Sequence, residues 1–300
     1  MPSETTIECT ASPALWPLYR RILFRKRPGL KAGESLPGLA AHWPDAAADA
    51  ETLTAYREAC AFEDDGHLPL LYPHVLTGGL HMSIIAHDSF PLSPLGSVHL
   101  RDHILQHRPI PAEAAMDCLC RISGQRVAKS GLEFDVTTVV TVEGSRLWES
   151  ISTYLVRGKK YGEPQEAPAL AAMADLEQPD TETQWHVPRN MGRRYAGISK
   201  DYNPIHISRI LAKLFGFKRD LIHGFWSAAR CLNAVPALPA DDSVRCDLLF
   251  KGPVFMDSDV RLKAAVSETR RRFDLFCGSN PRPCLAGAVW SEATPSPLVT

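Results

Sequence analysis

One short stretch of the chain concentrates side chains that can move protons. It runs Arg194-Tyr-Ala-Gly-Ile-Ser-Lys-Asp-Tyr-Asn-Pro-Ile-His206 and gathers Asp201, Asn203 and His206 around Pro204. An acid, an amide and an imidazole thus fall within six residues, and Asn-Pro forces a turn that lets them converge. Helical spacing would leave Asp201 and His206 about a residue out of line, so a turn is the better geometry. Downstream, Ser208–Phe215 reads as a polar-capped helix. Gly216-Phe217 follows, and Ile222-His223-Gly224 opens an apolar helix. A neutral imidazole can take a proton from water while a nearby carboxyl gives or takes a second. A Gly at a helix N-terminus, here Gly224, lets a carbonyl oxygen approach free N–H groups, which suits an oxyanion. Addition of water across a double bond conjugated to a thioester requires those three parts, and it needs no metal and no redox cofactor. Residue types alone leave a second possibility open. Asn-Pro beside an Asp also makes an ordinary turn, and the His after it can be a simple cap.

The elements that must hold this stretch follow from hydrophobic periodicity. Asp49–Cys60 reads as a helix with Asp49 as N-cap, and Thr77–Ala86 has helical spacing at Leu80, Ile84 and Ile85. Strands are expected at Ser97–His107 and Asp117–Ser123. Leu132–Val142 alternates Leu132, Phe134 and Val136 with Glu133, Asp135 and Thr137, the period-2 pattern of a half-buried strand. Gly144-Ser145 then turns the chain into a return strand, Leu147–Val156. Gly158–Gln184 is rich in Pro, Glu and Ala and reads as a linker. Beyond it come the apolar helix Gly224–Val235 and strands at Val244–Phe250, Ser258–Val266, Arg271–Gly278 and Pro283–Ser291. The halves echo each other. Met116-Asp117 and Met256-Asp257 each open a strand, and Phe134-Asp135-Val136 answers Phe273-Asp274-Leu275. Two copies of a helix-plus-antiparallel-sheet unit are expected.

Composition narrows the function classes. The 300 residues carry 33 Lys and Arg against 34 Asp and Glu, so no basic field favours nucleic acid. No apolar run approaches the roughly 18 residues of a membrane span, and no secretory pattern opens the chain. Eight Cys scattered through a long chain read as reduced thiols, which points to the cytoplasm. Cys118-x-Cys120 lacks the second pair a zinc site wants and is assigned to core packing. His99, His103 and His107 recur every four residues on a segment read as a strand, so they are not taken as a metal site. Arg20–Arg27 is a basic segment suited to a solvated face or a docking patch. Neither a phosphate loop nor a Gly-x-Ser-x-Gly elbow is present.

The segment Tyr195–His206, continued by Gly216-Phe217 and Ile222-His223-Gly224, closely resembles the signature of the MaoC-like dehydratases and R-specific enoyl-CoA hydratases. Leu68–Leu76, Gly96–Leu100, Gln106–Ile110 and Trp148–Ser150 resemble the noncatalytic repeat of double-hotdog members such as the mycobacterial acyl dehydratases. The resemblance covers about residues 60–290 and implies an α+β double hotdog, each unit a long helix wrapped by a curved antiparallel sheet. Residues 1–157 would hold the noncatalytic repeat, 158–184 the linker and 185–300 the catalytic repeat. The implied activity interconverts trans-2-enoyl and (R)-3-hydroxyacyl thioesters of CoA or acyl carrier protein, without cofactor or metal. The implied assembly is a monomeric double hotdog or a homodimer.

By the same resemblance Asp201 and His206 are the catalytic pair, with His206 activating water and Asp201 handling the α-carbon proton. Asn203 and Ser199 support them, and Gly224 supplies the oxyanion N–H. His223, Phe225, Lys200 and Ile84 are expected against substrate, Ile84 from the first-half helix beside the acyl tunnel. Two departures stand out. Lys200 replaces the family's Gly, which is costly if the position needs φ > 0 and otherwise could attract a phosphate or an acidic surface. Phe225-Trp226 is bulkier than usual and is expected to narrow the tunnel. The alternatives are a hotdog thioesterase, which the intact Asp–Asn–His segment opposes, and an acyl-thioester-binding subunit that has lost catalysis, for which Lys200 is the hint.

Overall fold

The computed structural model describes residues 4–94, 96–158, 161–166, 173–238, 243–293 and 295–299. The elements run β1 (Thr5–Glu8), α1 (Leu15–Phe24), β2 (Leu39–Ala46), α2 (Ala50–Cys60), α3 (Tyr72–Ala86), β3 (Val98–Gln106), β4 (Met116–Ala128), β5 (Gly131–Val142) and β6 (Ser145–Arg157). After them come β7 (Thr181–Val187), α4 (Met191–Ser199), α5 (Pro204–Ile207), α6 (Arg209–Leu214), α7 (Gly224–Ala234), β8 (Ser243–Phe250), β9 (Ser258–Val266), β10 (Arg270–Cys277) and β11 (Leu285–Glu292). The stretch expected as a linker therefore contains the start of β7.

All strands among the described residues join one 11-stranded sheet in the order β1-β2-β4-β5-β6-β3-β8-β11-β10-β9-β7. The order is symmetric about the β3–β8 seam: β6 answers β11, β5 answers β10, β4 answers β9 and β2 answers β7. This is the internal duplication that the sequence echoes indicate. The seam is antiparallel, pairing Arg101 with Leu249 and Gln106 with Val244. His103 Nδ1 meets Asp247 Oδ1 across it at 2.9 Å. Each half thus gives its neighbour a sheet edge that would otherwise expose unpaired backbone.

One apolar core runs through both halves and includes Leu80, Ile84, Phe134 and Trp148 with Tyr195, Trp226, Phe273 and Leu275. Helix α3 is buried along much of its length, against β2, β4 and β5. It starts five residues before the expected Thr77, because Pro73 lies in its first turn, where a missing N–H costs nothing. The Asp49 N-cap accepts from Thr52 N at 2.8 Å, as expected, a contact typically worth about 1 kcal/mol. Residues 4–60 are part of the same body. Trp226 Nε1 on α7 donates to Ala59 O at the end of α2 (2.9 Å), and Asn233 Nδ2 donates to Ala61 O (2.8 Å). Trp226 is therefore a clamp between two helices.

The basic segment is likewise built in. Arg27 donates to the carbonyls of Ala86, His87 and Phe90 at the C-terminus of α3, and Arg25 pairs with Asp88. These cations meet the negative end of the helix dipole. Cys118 and Cys120 are both buried, as core packing requires. No described helix is long and apolar enough to cross a membrane.

Candidate active site

Asp201, Asn203 and His206 converge at the turn between α4 and α5. Helix α4 ends at Lys200, which adopts the left-handed conformation with φ 58° and ψ 10°. That conformation reverses the chain and delivers Asp201 to the site. A Gly would adopt it freely; a Cβ-bearing residue costs roughly 1–2 kcal/mol. Lys200 recovers part of this cost by donating from Nζ to Gly197 O at 2.7 Å, a cation on the last carbonyls of α4. Ser199 Oγ donates to Tyr195 O (2.9 Å) and accepts from Asp201 N (3.3 Å), so it fixes the same bend. Asn203 caps α5, accepting from Ile205 N at 3.4 Å, and its own N–H donates to Asp201 Oδ1 at 3.0 Å.

His206 is 9% exposed, and its Nδ1 lies 2.8 Å from Leu221 O. A carbonyl only accepts, so Nδ1 carries the hydrogen and Nε2 is left as the acceptor. That nitrogen is 3.8 Å from Asp201 Oδ2. His223 donates from Nε2 to Asp201 O at 2.9 Å and stacks on His206, ring centres 3.8 Å apart. It is 4% exposed. His223, expected against substrate, therefore holds the Asp201 loop in place. Gly192 explains how α4 can approach so closely: a Cβ there would lie 2.2 Å from His206 O.

Electrostatics follow from this packing. Partial burial pulls the Asp201 carboxyl upward. The His223 and His206 imidazoles, the Asn203 N–H and the Tyr19 hydroxyl outweigh that pull and hold it below the usual carboxylate range. Burial lowers His206, with Asp201 and the Leu221 carbonyl opposing. Burial, then the neighbouring His206, push His223 down to about 3. At neutral pH the site holds a carboxylate beside a neutral imidazole whose Nε2 is free to accept a proton.

Gly224 is the first residue of α7. The N–H groups of Gly224, Phe225 and Trp226 have no intrahelical acceptor, so the helix presents donors and the positive end of its dipole. Gly is required here for space: a Cβ would lie 2.7 Å from the Phe250 ring. Phe225 stacks face to face on His74 of α3, centres 3.7 Å apart and planes 4° apart. Ile84, expected at the tunnel, is fully buried in the core and enters none of the site's hydrogen bonds or ring contacts.

Residues that sequence reasoning missed complete the site. Tyr19 of α1 donates its hydroxyl to Asp201 Oδ1 at 2.9 Å. The Leu221 carbonyl sets the His206 tautomer, and Phe250 covers Gly224. None lies near the motif in sequence except Leu221, whose contribution is backbone and leaves no signal in residue type. Asp201, His206 and His223 each bring a ligand atom within 4.8 Å of the others, as do His74, His99 and Asp102, and either trio is spaced to hold a divalent ion.

A duplicated hotdog sheet that carries an acid–imidazole pair beside the N-terminus of an apolar helix defines an α+β double hotdog of the hydratase–dehydratase class. Residues 172–281 match the model of the MaoC like domain. Over 223 residues, 72% of this chain and 76% of the relative, the sequence is 31% identical to 3-hydroxyacyl-thioester dehydratase X of Mycobacterium tuberculosis. The chain belongs to the MaoC-like dehydratase family. The crystal structure of HtdX from M. tuberculosis superposes with a TM-score of 0.72 at 27% identity, covering 84% of this chain and 100% of that one. A 79-residue stretch is 30% identical to the (R)-specific enoyl-CoA hydratase of Aeromonas caviae, spanning 25% of this chain and 59% of that protein.

Proposed function

We propose that this chain is a hydro-lyase interconverting trans-2-enoyl and (R)-3-hydroxyacyl thioesters of CoA or an acyl carrier protein. The observation that carries this is the Leu221 carbonyl on His206 Nδ1, which leaves Nε2 as a neutral base facing the Asp201 carboxylate. In hydration, His206 Nε2 takes a proton from water as the water oxygen bonds to Cβ. The pair passes a proton through Asp201 to Cα, and its charge returns to the starting value. Electrons displaced from the double bond gather on the thioester oxygen, where the Gly224 N–H stabilises them. The pair stands 3.8 Å apart, and contacts of this kind tighten as substrate binds.

The second repeat carries the Asp–Asn–His turn and the first does not, so one site per chain is assigned. The first repeat packs against it and brings His74 to Phe225. The chain holding both repeats fits a monomeric double hotdog. The free cysteines fit a cytoplasmic setting. Loss of absorbance at the conjugated thioester, followed with crotonyl-CoA and a longer trans-2-enoyl-CoA, tests the activity. Hydration to the (R)-3-hydroxy product is expected. Thioester hydrolysis instead would assign a thioesterase, and binding without turnover would assign a noncatalytic subunit.

A further inference from the structure

We propose that the surface formed by α6 and its flanking turns docks an acidic protein, a small carrier that presents the acyl thioester on its own prosthetic arm. This rests on the proposed hydro-lyase activity and adds the form in which the substrate arrives. Two independent features coincide on this surface, one of charge and one of exposed apolar area.

Residues 189–219 contain eight Lys or Arg and a single acid, Asp201, in a chain whose 33 basic and 34 acidic residues nearly balance overall. Arg209, Lys213 and Lys218 are exposed, and none takes part in an ion pair among the described residues. The ion pairs of this region belong to Arg194 with Glu58 and to Arg219 with Asp220 and Asp257. Arg193 Nε donates to Ile207 O at 3.1 Å, which ties α4 to the end of α5, just before α6.

Six large hydrophobic side chains stand exposed among the described residues, and five of them lie between residues 202 and 215. Ile210 is 74% and Leu214 78% exposed, with Tyr202 at 45%. Single exposed apolar residues are ordinary, but a cluster rimmed by one sign of charge marks an interaction site. Four of the five, Ile210, Leu211, Leu214 and Phe215, lie on the segment that links His206 to Gly224. Tyr202 follows Asp201, whose side chain is itself 45% exposed. A partner that contacts Tyr202 touches the residue next to Asp201 in the chain.

The combination selects the occupant. CoA phosphates would satisfy the cations yet leave Ile210 and Leu214 in water. A second copy of this chain would set like charges against each other. An acidic protein surface with apolar residues among its carboxylates satisfies both features, and opposite fields would speed its approach.

The test compares the crotonyl thioester of a bacterial acyl carrier protein with crotonyl-CoA. The proteins are the full-length wild type, Arg209→Glu/Lys213→Glu and Ile210→Ser/Leu214→Ser. Each variant should lose about tenfold in kcat/KM on the carrier substrate, chiefly through KM, while staying within about twofold of wild type on crotonyl-CoA. Should the charge reversals fail to fold, the serine pair, at two highly exposed positions, carries the test alone. Equal losses on both substrates, or none on either, overturn the docking proposal. So does a wild type active on crotonyl-CoA alone. A serine variant that turns a dimer into a monomer in sedimentation velocity assigns the patch to a second copy. Wild-type sedimentation with phosphatidylglycerol vesicles that the variants lose, with the carrier rate unchanged, assigns it to lipid. Both outcomes overturn the proposal. A wild type inactive on both thioesters contradicts the hydro-lyase activity itself, a separate failure.

Discussion

The Tyr19 hydroxyl donates to Asp201 Oδ1 at 2.9 Å, joining two residues 182 positions apart. The bond stabilises the carboxylate and helps keep Asp201 below its usual range. Tyr19→Phe removes the donor and leaves the ring. A hydrogen bond to a charged group is worth about 1.5–3 kcal/mol, so kcat should fall about tenfold or somewhat more. The Asp201 pKa should rise, moving the acidic limb of the kcat profile to higher pH. An unshifted limb with unchanged kcat would detach α1 from the chemistry.

Lys200 occupies a left-handed turn position and folds its ammonium back on Gly197 O. Lys200→Gly should relieve the backbone while giving up that contact. Lys200→Ala should give up the contact and keep the strain. The expected order of Tm is Gly at or above Lys, with Ala lowest by about 1 kcal/mol of stability. Both variants should keep kcat on crotonyl-CoA. A collapse of kcat in Lys200→Gly would show that the ammonium acts on substrate.

Stability should depend on pH through buried neutral imidazoles. Burial lowers His74 and His206, and takes His81 and His223 down to about 3. Unfolded, each would titrate near its ordinary value of about 6.5. The unfolded chain therefore binds more protons below that pH, and stability is lost as pH falls. Each such imidazole contributes a slope of up to about 1.4 kcal/mol per pH unit. Urea midpoints at pH 7, 6 and 5 should drop with a slope of at least two protons. A flat midpoint across that range would mean that these rings are charged or exposed in the folded state.

The β5–β6 hairpin was legible because Leu132, Phe134 and Val136 alternate with polar residues and Gly144 sits at the turn, with φ 75°. The acid–His turn was legible because its residues are contiguous. Helix α4 was not, since Gly192 and Gly197 interrupt the apolar pattern, and the need for Gly192 comes from the His206 carbonyl. Strand β2 carries three small residues and Pro44, so its sequence lacks β-branched character although Leu39–Ala41 are fully buried. Tyr19 was hidden among arginines that suggested a solvated face. Its partner is set by tertiary packing, which no local spacing encodes.

In the proposed mechanism Asp201 and His206 act as one proton-transfer unit. Crotonyl-CoA hydration by Asp201→Asn, His206→Gln and the double variant, each checked for native circular dichroism, tests it most directly. Each single variant should lose about 10²–10⁴-fold in kcat, and the double should lose little more, because members of one unit are not additive. Near wild-type turnover by either single variant would contradict the account.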